Sequence, residues 1–173
     1  MTGERRTFGA GDTRPEQNQY RCSRRRASRL ARLAVGWTML FAEILVSHRP
    51  PTEVLCEAAL ASRLVETREA VACVDEIAQV DLERFEAVWV CTRASGEFGT
   101  IVSLYLKHEV VYATERGVAL EIARIGKCRC LVDDGSVNPY KWILIEAAGS
   151  EGAVLLDAHG FDEDPERFDS RPD

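Results

Sequence analysis

The sequence predicts an α+β fold in which an antiparallel sheet of about five to six strands packs against two or three helices, mainly on one face. Three observations lead to this prediction. Apolar residues recur at helical spacing in two segments, they alternate with a period of two in several others, and the last three strand-like segments are joined by tight turns. A chain of 173 residues with 46% hydrophobic content is long enough to bury one core.

The first element is an apolar strand at 39–48, and Pro50–Pro51 end it because proline cannot continue a strand ladder. Thr52 is expected to cap the following helix, since its hydroxyl can accept from the free amides of the first turn. The helix is indicated by apolar residues at three- and four-residue steps, namely Val54, Leu55, Ala58, Ala61, Leu64 and Val65. Residues 69–82 fit either a short strand at Val71–Val74 or a continued helix.

The second half of the fold begins with a hairpin, in which strands at 85–91 and 100–108 are joined by a glycine-containing turn. A second helix is predicted within the stretch 115–126, and Gly126 is expected to be the left-handed residue that ends it. Three short strands with tight connections then form an antiparallel meander, at 127–133, 141–147 and 153–158.

Charge divides the chain into three parts. Residues 1–38 contain nine arginines against three acidic residues, and we expect a basic, disordered arm, or a segment outside the native protein if translation starts at Met39. Residues 39–160 are predicted to form one globular domain, and 161–173 a flexible acidic tail. From residue 39 onward the chain holds twenty-five acidic and thirteen basic side chains, so its body is markedly acidic.

This acidic body favours a basic partner over a phosphate-bearing one. We therefore predict a small cytoplasmic protein-binding module that docks on a basic protein and occludes it, in the manner of an immunity protein or antitoxin by physical type alone. The expected contact surface is the turn after 127–133. Asp133 and Asp134 supply its charge, while Tyr140 and Trp142 supply the rigid aromatic area that interfaces favour.

The stretch "RIGKCRCLVDD" at 124–134 raises the question of a metal or redox site, because two cysteines stand one residue apart. On a strand, Cys128, Cys130 and Val132 share one face, which is how cysteine packs as a small hydrophobe in a core. The six cysteines of the chain include no CxxC pair, and no further ligand stands at zinc-site spacing. We expect reduced thiols, with no metal and no cofactor.

The alternative function is a small cysteine-dependent enzyme. Its candidate nucleophile is Cys91 on the first strand of the hairpin, and its base is His108 at the end of the second strand. Asp157 or Asp133 would orient the imidazole. The sequence contains no glycine-rich phosphate loop, zinc-protease motif or nucleophile elbow. Enzymatic activity is therefore the second hypothesis, and protein binding is the first.

The basic arm indicates at most weak nucleic-acid binding. Bases stack on aromatic side chains, and the arginine cluster of the arm has no such platform. The cluster consists of Arg24, Arg25, Arg26, Arg29 and Arg32. A membrane span is not expected, because the apolar run at 33–47 is short and Glu43 interrupts it.

Overall fold

The structure of this chain is a computed structural model that describes residues 39–164 and 166–171. The arm at 1–38, with its arginine cluster, lies outside the described residues, so what the sequence indicates for it stays a prediction. Among the described residues, no helix is both long and apolar enough to pass through a bilayer.

A mixed sheet forms the centre of the described part of the chain. Its seven strands are β1 (Met39–Val46), β2 (Val71–Val74), β3 (Ala87–Arg93), β4 (Thr100–Leu106), β5 (Cys130–Asp133), β6 (Lys141–Ile145) and β7 (Glu151–Leu155). The α-helices of this part are α1 (Thr52–Ala61), α2 (Glu115–Gly126) and α3 (Ala158–Glu163). The strand order across the sheet is β2-β3-β4-β1-β5-β6-β7. The predicted α+β class is confirmed.

The sheet differs from the prediction because it contains a parallel pair and seven strands within the described residues. β2 runs parallel to β3, with Val71 opposite Ala87, whereas the other strand pairs of this sheet are antiparallel. Residues 75–86 carry the chain back along the sheet in short 3-10 turns before β3 begins. The prediction of a purely antiparallel sheet is therefore wrong. The direction of β2 could not be predicted, because a four-residue strand after a helix carries no sequence signal for its direction.

One face of the sheet carries the main core beneath α1 and α2. Ile44 of β1 and Leu55 of α1 meet there with almost no exposure to solvent. The two helices come close at Gly126, where a Cβ atom would lie 3.1 Å from a methyl carbon of Val54. Gly126 is the last residue of α2. The prediction that Gly126 is left-handed is wrong, because the left-handed residue is Lys127, with a φ of 50°.

The other face of the sheet carries two smaller clusters. One includes Val88 of β3 and is covered by apolar side chains of the segment 75–86. The other includes Leu131 of β5 and is covered by α3 and by Phe168, which is only 7% exposed. The flexible tail that the sequence predicts from residue 161 stays a prediction; within its described part, Phe168 is buried in the cluster that contains Leu131.

Candidate functional site

The cysteine pair at the start of β5 is buried in the main core. Cys128 and Cys130 are 3% and 0% exposed, and Val132 lies in the same cluster while Leu131 faces the opposite one. A hydrogen bond between the two thiols, together with burial, raises the pKa of Cys130 above its ordinary value. The predicted packing of these cysteines as small hydrophobes is confirmed.

The turn after β5 holds its two aspartates differently. Asp133 is exposed, and its carboxylate accepts a hydrogen bond from the Gly135 amide at 2.8 Å. The carboxylate of Asp134 accepts from Ser136 and pairs with the Lys141 ammonium at 3.1 Å, and these contacts lower the pKa of Asp134. Asp133 therefore offers its charge to solvent, whereas the charge of Asp134 is compensated within the turn.

Tyr140 and Trp142 are half-buried and hold neighbouring parts of the chain. The Tyr140 hydroxyl donates to Asp162 at 2.8 Å, and the centre of its ring lies 5.9 Å from that of Phe161. The Trp142 indole donates to the carbonyl of Pro139 at 2.9 Å. Much of the aromatic area expected for a partner is therefore used within the molecule, and Asp133 is the most accessible of the predicted contact residues.

Two further acidic residues, Glu43 and Glu115, are related to Asp133 where β1 and β5 separate, because the charges of Asp133 and Glu43 both act on the Glu115 carboxyl group. The strands pair only at Leu45 and Val46 of β1. Just before this point, the Glu43 amide donates to Oε1 of Glu115 at 3.0 Å, so that a side chain from α2 takes the place of a strand partner. We refer to Glu43, Glu115 and Asp133 as the carboxylate cluster.

The carboxylate cluster brings like charges together. Burial is the largest cause of the raised pKa of Glu115, and the charges of Asp133 and Glu43 raise it further, although the hydrogen bond from the Glu43 amide acts in the opposite direction. Burial and the Glu43 charge also raise the pKa of Tyr105 on neighbouring β4. The charge of Glu43 therefore acts on both Glu115 and Tyr105.

Glu43 and Glu115 were not among the predicted site residues. Glu43 did carry a signal, because it is a charged residue in an otherwise apolar strand. Glu115 carried only the signal of a helix start: Thr114 caps α2 by accepting from the Gly117 amide at 3.1 Å, and an acidic first residue is ordinary there. Its place beside β1 depends on how α2 packs on the sheet, which local sequence does not specify.

The predicted catalytic residues lie apart. Cys91 pairs with Val102, whereas His108 follows Leu106, which pairs with the first residue of β3. His108 is therefore at the opposite end of the hairpin from Cys91. Asp157 caps α3 by accepting from the amides of its first turn. The structure does not bring Cys91, His108 and Asp157 together.

Cys91 instead lines a cavity of about 250 Å³ at the start of α1. The walls of this cavity are formed by Arg49, Pro50, Pro51, Thr52, Leu55, Cys73, Val74 and Cys91. The predicted capping of α1 by Thr52 is wrong, because Thr52 is the first helical residue and Pro51 precedes it without a side-chain cap. Beside the cavity, the Arg49 guanidinium lies 2.5 Å from the Asp75 carboxylate.

The thiols of this cavity are not activated as nucleophiles. Burial is the largest cause of the raised pKa of Cys73, and the neighbouring thiols of Cys56 and Cys91 raise it further. Burial also raises the pKa of Cys91, against the effect of the Arg49 charge. Both thiols therefore stay protonated at neutral pH, and the thiolate is the reactive form. Within 39–164 and 166–171, no group of three or more His, Cys, Asp or Glu side chains is placed to hold a metal ion.

Comparison with protein-family models, with curated proteins and with solved structures gave no match for this chain.

Proposed function

We propose that this chain is an acidic protein-binding module that docks on a basic partner and occludes it. The observation that carries the proposal is the carboxylate cluster of Glu43, Glu115 and Asp133, which comes from β1, α2 and β5. Asp133 is both a contact residue expected from the sequence and the cluster member at the end of its strand, exposed to solvent.

A cationic side chain of a partner would relieve the repulsion within this cluster. In the free protein, burial and two neighbouring negative charges disfavour the ionised form of Glu115. An arginine or lysine placed beside Asp133 would instead favour it, and would gain charge-assisted hydrogen bonds. The cluster thus lowers the stability of the free protein in a way that binding reverses, which is typical of functional sites.

The charge of the whole body supports the same partner class. Twenty-five acidic side chains against thirteen basic ones give a negative field that attracts a cationic protein from a distance. Acidic inhibitors of nucleases use the same electrostatic attraction, because it steers them onto cationic active sites. An immunity protein or antitoxin is therefore the physical type to which we assign the chain.

The loop between β5 and β6 extends the proposed contact surface. Val137 at its tip is 85% exposed and supplies an apolar contact beside the charges. Tyr140 and Trp142 support this loop from within rather than binding the partner directly. The partner is therefore expected to contact the carboxylate cluster and Val137, while Tyr140 and Trp142 hold the loop in place.

The proposal is tested by capture from a lysate of the cells that make this protein, followed by association kinetics. The variant carries Glu43→Gln with Asp133→Asn. The matched control carries Glu66→Gln with Glu83→Gln, which removes the same charge from exposed residues on the β2 side of the molecule. We expect wild type and control to retain a basic protein that salt elutes, and the cluster variant to retain much less.

The association rate of that captured protein then decides the outcome. At low salt the cluster variant should associate several-fold more slowly than the control, and the difference should vanish at about 0.5 M salt, where screening hides the charges. Equal rates for the cluster variant and the control would reject the carboxylate cluster as the docking site. Capture that is insensitive to salt would reject electrostatic docking altogether.

A further inference from the structure

The sheet ends at β7, which has no further strand on its outer side among the described residues. In the ladder with β6, the Leu156 amide donates to the carbonyl of Tyr140 at 2.7 Å. Because hydrogen-bonded pairs alternate along antiparallel strands, the backbone groups of Glu151, Ala153 and Leu155 point away from β6. Those of Glu151 and Ala153 form no hydrogen bond with another described residue. β7 is therefore an edge that can accept another strand.

β7 lacks the features that ordinarily protect such an edge. The strand contains neither lysine nor proline, and its register with β6 has no bulge. Its single charged side chain, Glu151, pairs with Arg116 of α2, so the edge carries little net charge. Leu155 at its end is 45% exposed and offers an apolar contact beside the backbone groups. This edge therefore suits a neutral, partly apolar strand rather than a basic one.

The end of this edge is covered by residues 166–171, which we call the C-terminal strap. The Arg171 amide donates to the carbonyl of Leu155 at 2.9 Å, and the Asp157 amide donates to the carbonyl of Asp169 at 2.9 Å. The C-terminal strap thus runs antiparallel to the end of β7 and uses the outward backbone groups there. An antiparallel strand is therefore the neighbour that this edge accepts within the molecule.

The edge is also complementary to itself. Its three outward-facing residues are symmetric about Ala153, so two antiparallel copies of β7 can exchange hydrogen bonds along the whole strand. Because Glu151 is paired with Arg116 of its own chain, two copies would meet without bringing unpaired charges together. A second copy of the chain therefore fits this edge better than the basic partner proposed for the carboxylate cluster.

We propose that the edge of β7 is a binding surface for a second copy of this chain, and that the C-terminal strap keeps the two copies apart. A twofold axis at Ala153 places Glu151 of one copy opposite Leu155 of the other. Leu155 can pair in this way only after Arg171 releases its carbonyl. The two sheets then become one continuous sheet. This surface does not depend on the carboxylate cluster or on its proposed function.

One carboxylate and one buried ring hold the C-terminal strap in place. Glu97 accepts hydrogen bonds from the Ser170 amide at 3.0 Å and from the Ser170 hydroxyl. Phe168 is buried in the cluster that contains Leu131. A carboxylate at position 170 would face Glu97 and repel it, and position 170 directly precedes Arg171. Ser170→Asp should therefore release the part of the C-terminal strap that covers β7 without changing the core.

The test is sedimentation equilibrium of the whole chain over a range of concentrations. We expect Ser170→Asp to dimerise at least about tenfold more tightly than wild type. Higher salt should strengthen this dimer, because it screens the repulsion between two acidic bodies. Adding Ala153→Lys should restore the monomer, since two lysines would then face each other at the axis. The matched control adds Ala61→Lys instead, at an exposed alanine of α1, and should leave the dimer intact.

Hydrogen exchange identifies the surface that the dimer uses. In Ser170→Asp, the Ala153 amide should exchange freely in dilute solution and become protected at high concentration. Phe168→Ala is a second way to release the C-terminal strap, and faster exchange of the Ser95 amide, which donates to the carbonyl of Glu166, reports that release. Wild type that associates as tightly as the variants, two released variants that stay monomeric, or a dimer that persists with Ala153→Lys would each overturn the proposal.

Discussion

The two ends of β5 lie in opposite surroundings, although only two residues separate Cys130 from Asp133. At the start of the strand, two thiols that suggest a metal or redox site lie in the main core. At its end, Asp133 is exposed and contributes to the carboxylate cluster. The contrast shows that the surroundings of these groups, more than the motif they form, determine their chemistry.

The physical difference lies in the form that each group ordinarily adopts at pH 7, since a thiol is mainly protonated and neutral whereas a carboxyl group is mainly ionised. The hydrogen bond with Cys128, together with burial, raises the pKa of Cys130 and so keeps this thiol in its neutral form at pH 7. For a carboxyl group, burial disfavours the ionised form, and the charges of Asp133 and Glu43 raise the pKa of Glu115 further. The thiols therefore pack in the core, whereas the carboxylate of Asp133 lies exposed to solvent.

The largest expected effect is the loss of stability in Cys130→Ser. The hydroxyl would be buried where the thiol is fully enclosed, and burying a poorly satisfied hydroxyl costs about 2 kcal/mol of unfolding free energy. Asp133→Asn, on the same strand, should change that free energy by less than about 0.5 kcal/mol. Urea denaturation measures both values. Equal effects for the two variants would remove the contrast between the two ends of β5.

A second comparison sets the carboxylate cluster against the carboxylates that hold the C-terminal residues. Burial alone would raise the pKa of Glu97, but hydrogen bonds from Ser170 and Arg129 outweigh it and lower the pKa. A hydrogen bond from Arg167 lowers the pKa of Asp169. In Glu97 and Asp169 the hydrogen bonds outweigh burial, whereas burial is the largest cause in Glu115, so the pKa of Glu115 is shifted in the opposite direction.

Acid should therefore release the C-terminal residues first. A lowered pKa means that the stabilising contribution is complete above the ordinary carboxyl pKa of about 4 and is lost as the pH falls through the lowered value. Hydrogen exchange of the Phe168 amide, which donates to the carbonyl of Ser95, should speed up relative to the β1 amides below about pH 4. Protection that is lost equally in both segments would show that they open together.

The smallest expected effect is a gain in stability from Glu115→Gln. Because the pKa of Glu115 is raised, its contribution favours the folded state at low pH and is lost as the pH rises through the raised value. Glutamine keeps an oxygen for the Glu43 amide and removes the repulsion. We expect a gain of about 0.5 kcal/mol at pH 7 that disappears near pH 4, measured by urea denaturation at both pH values. A loss of stability at pH 7 would contradict the like-charge interpretation.

The sequence predicts most elements of the described fold because their patterns are local. The hairpin, the helix Glu115–Gly126 and the C-terminal meander each depend on spacing within a few residues. The parallel pairing of β2, the burial of Phe168 and the place of Glu115 beside β1 depend on packing between distant segments. Within the expected contact surface, the sequence predicted the exposed carboxylate of Asp133. It did not predict that Tyr140 and Trp142 form hydrogen bonds within the molecule.

The interaction between the three carboxylates is tested most directly by NMR titration of the Glu115 carboxyl group in wild type and in Asp133→Asn. In wild type we expect a pKa above the ordinary value of 4.5. In the variant the pKa should fall only partway, because burial remains as the larger cause. A wild-type pKa at or below the ordinary value, or no change in Asp133→Asn, would contradict the existence of a carboxylate cluster for a basic partner to neutralise.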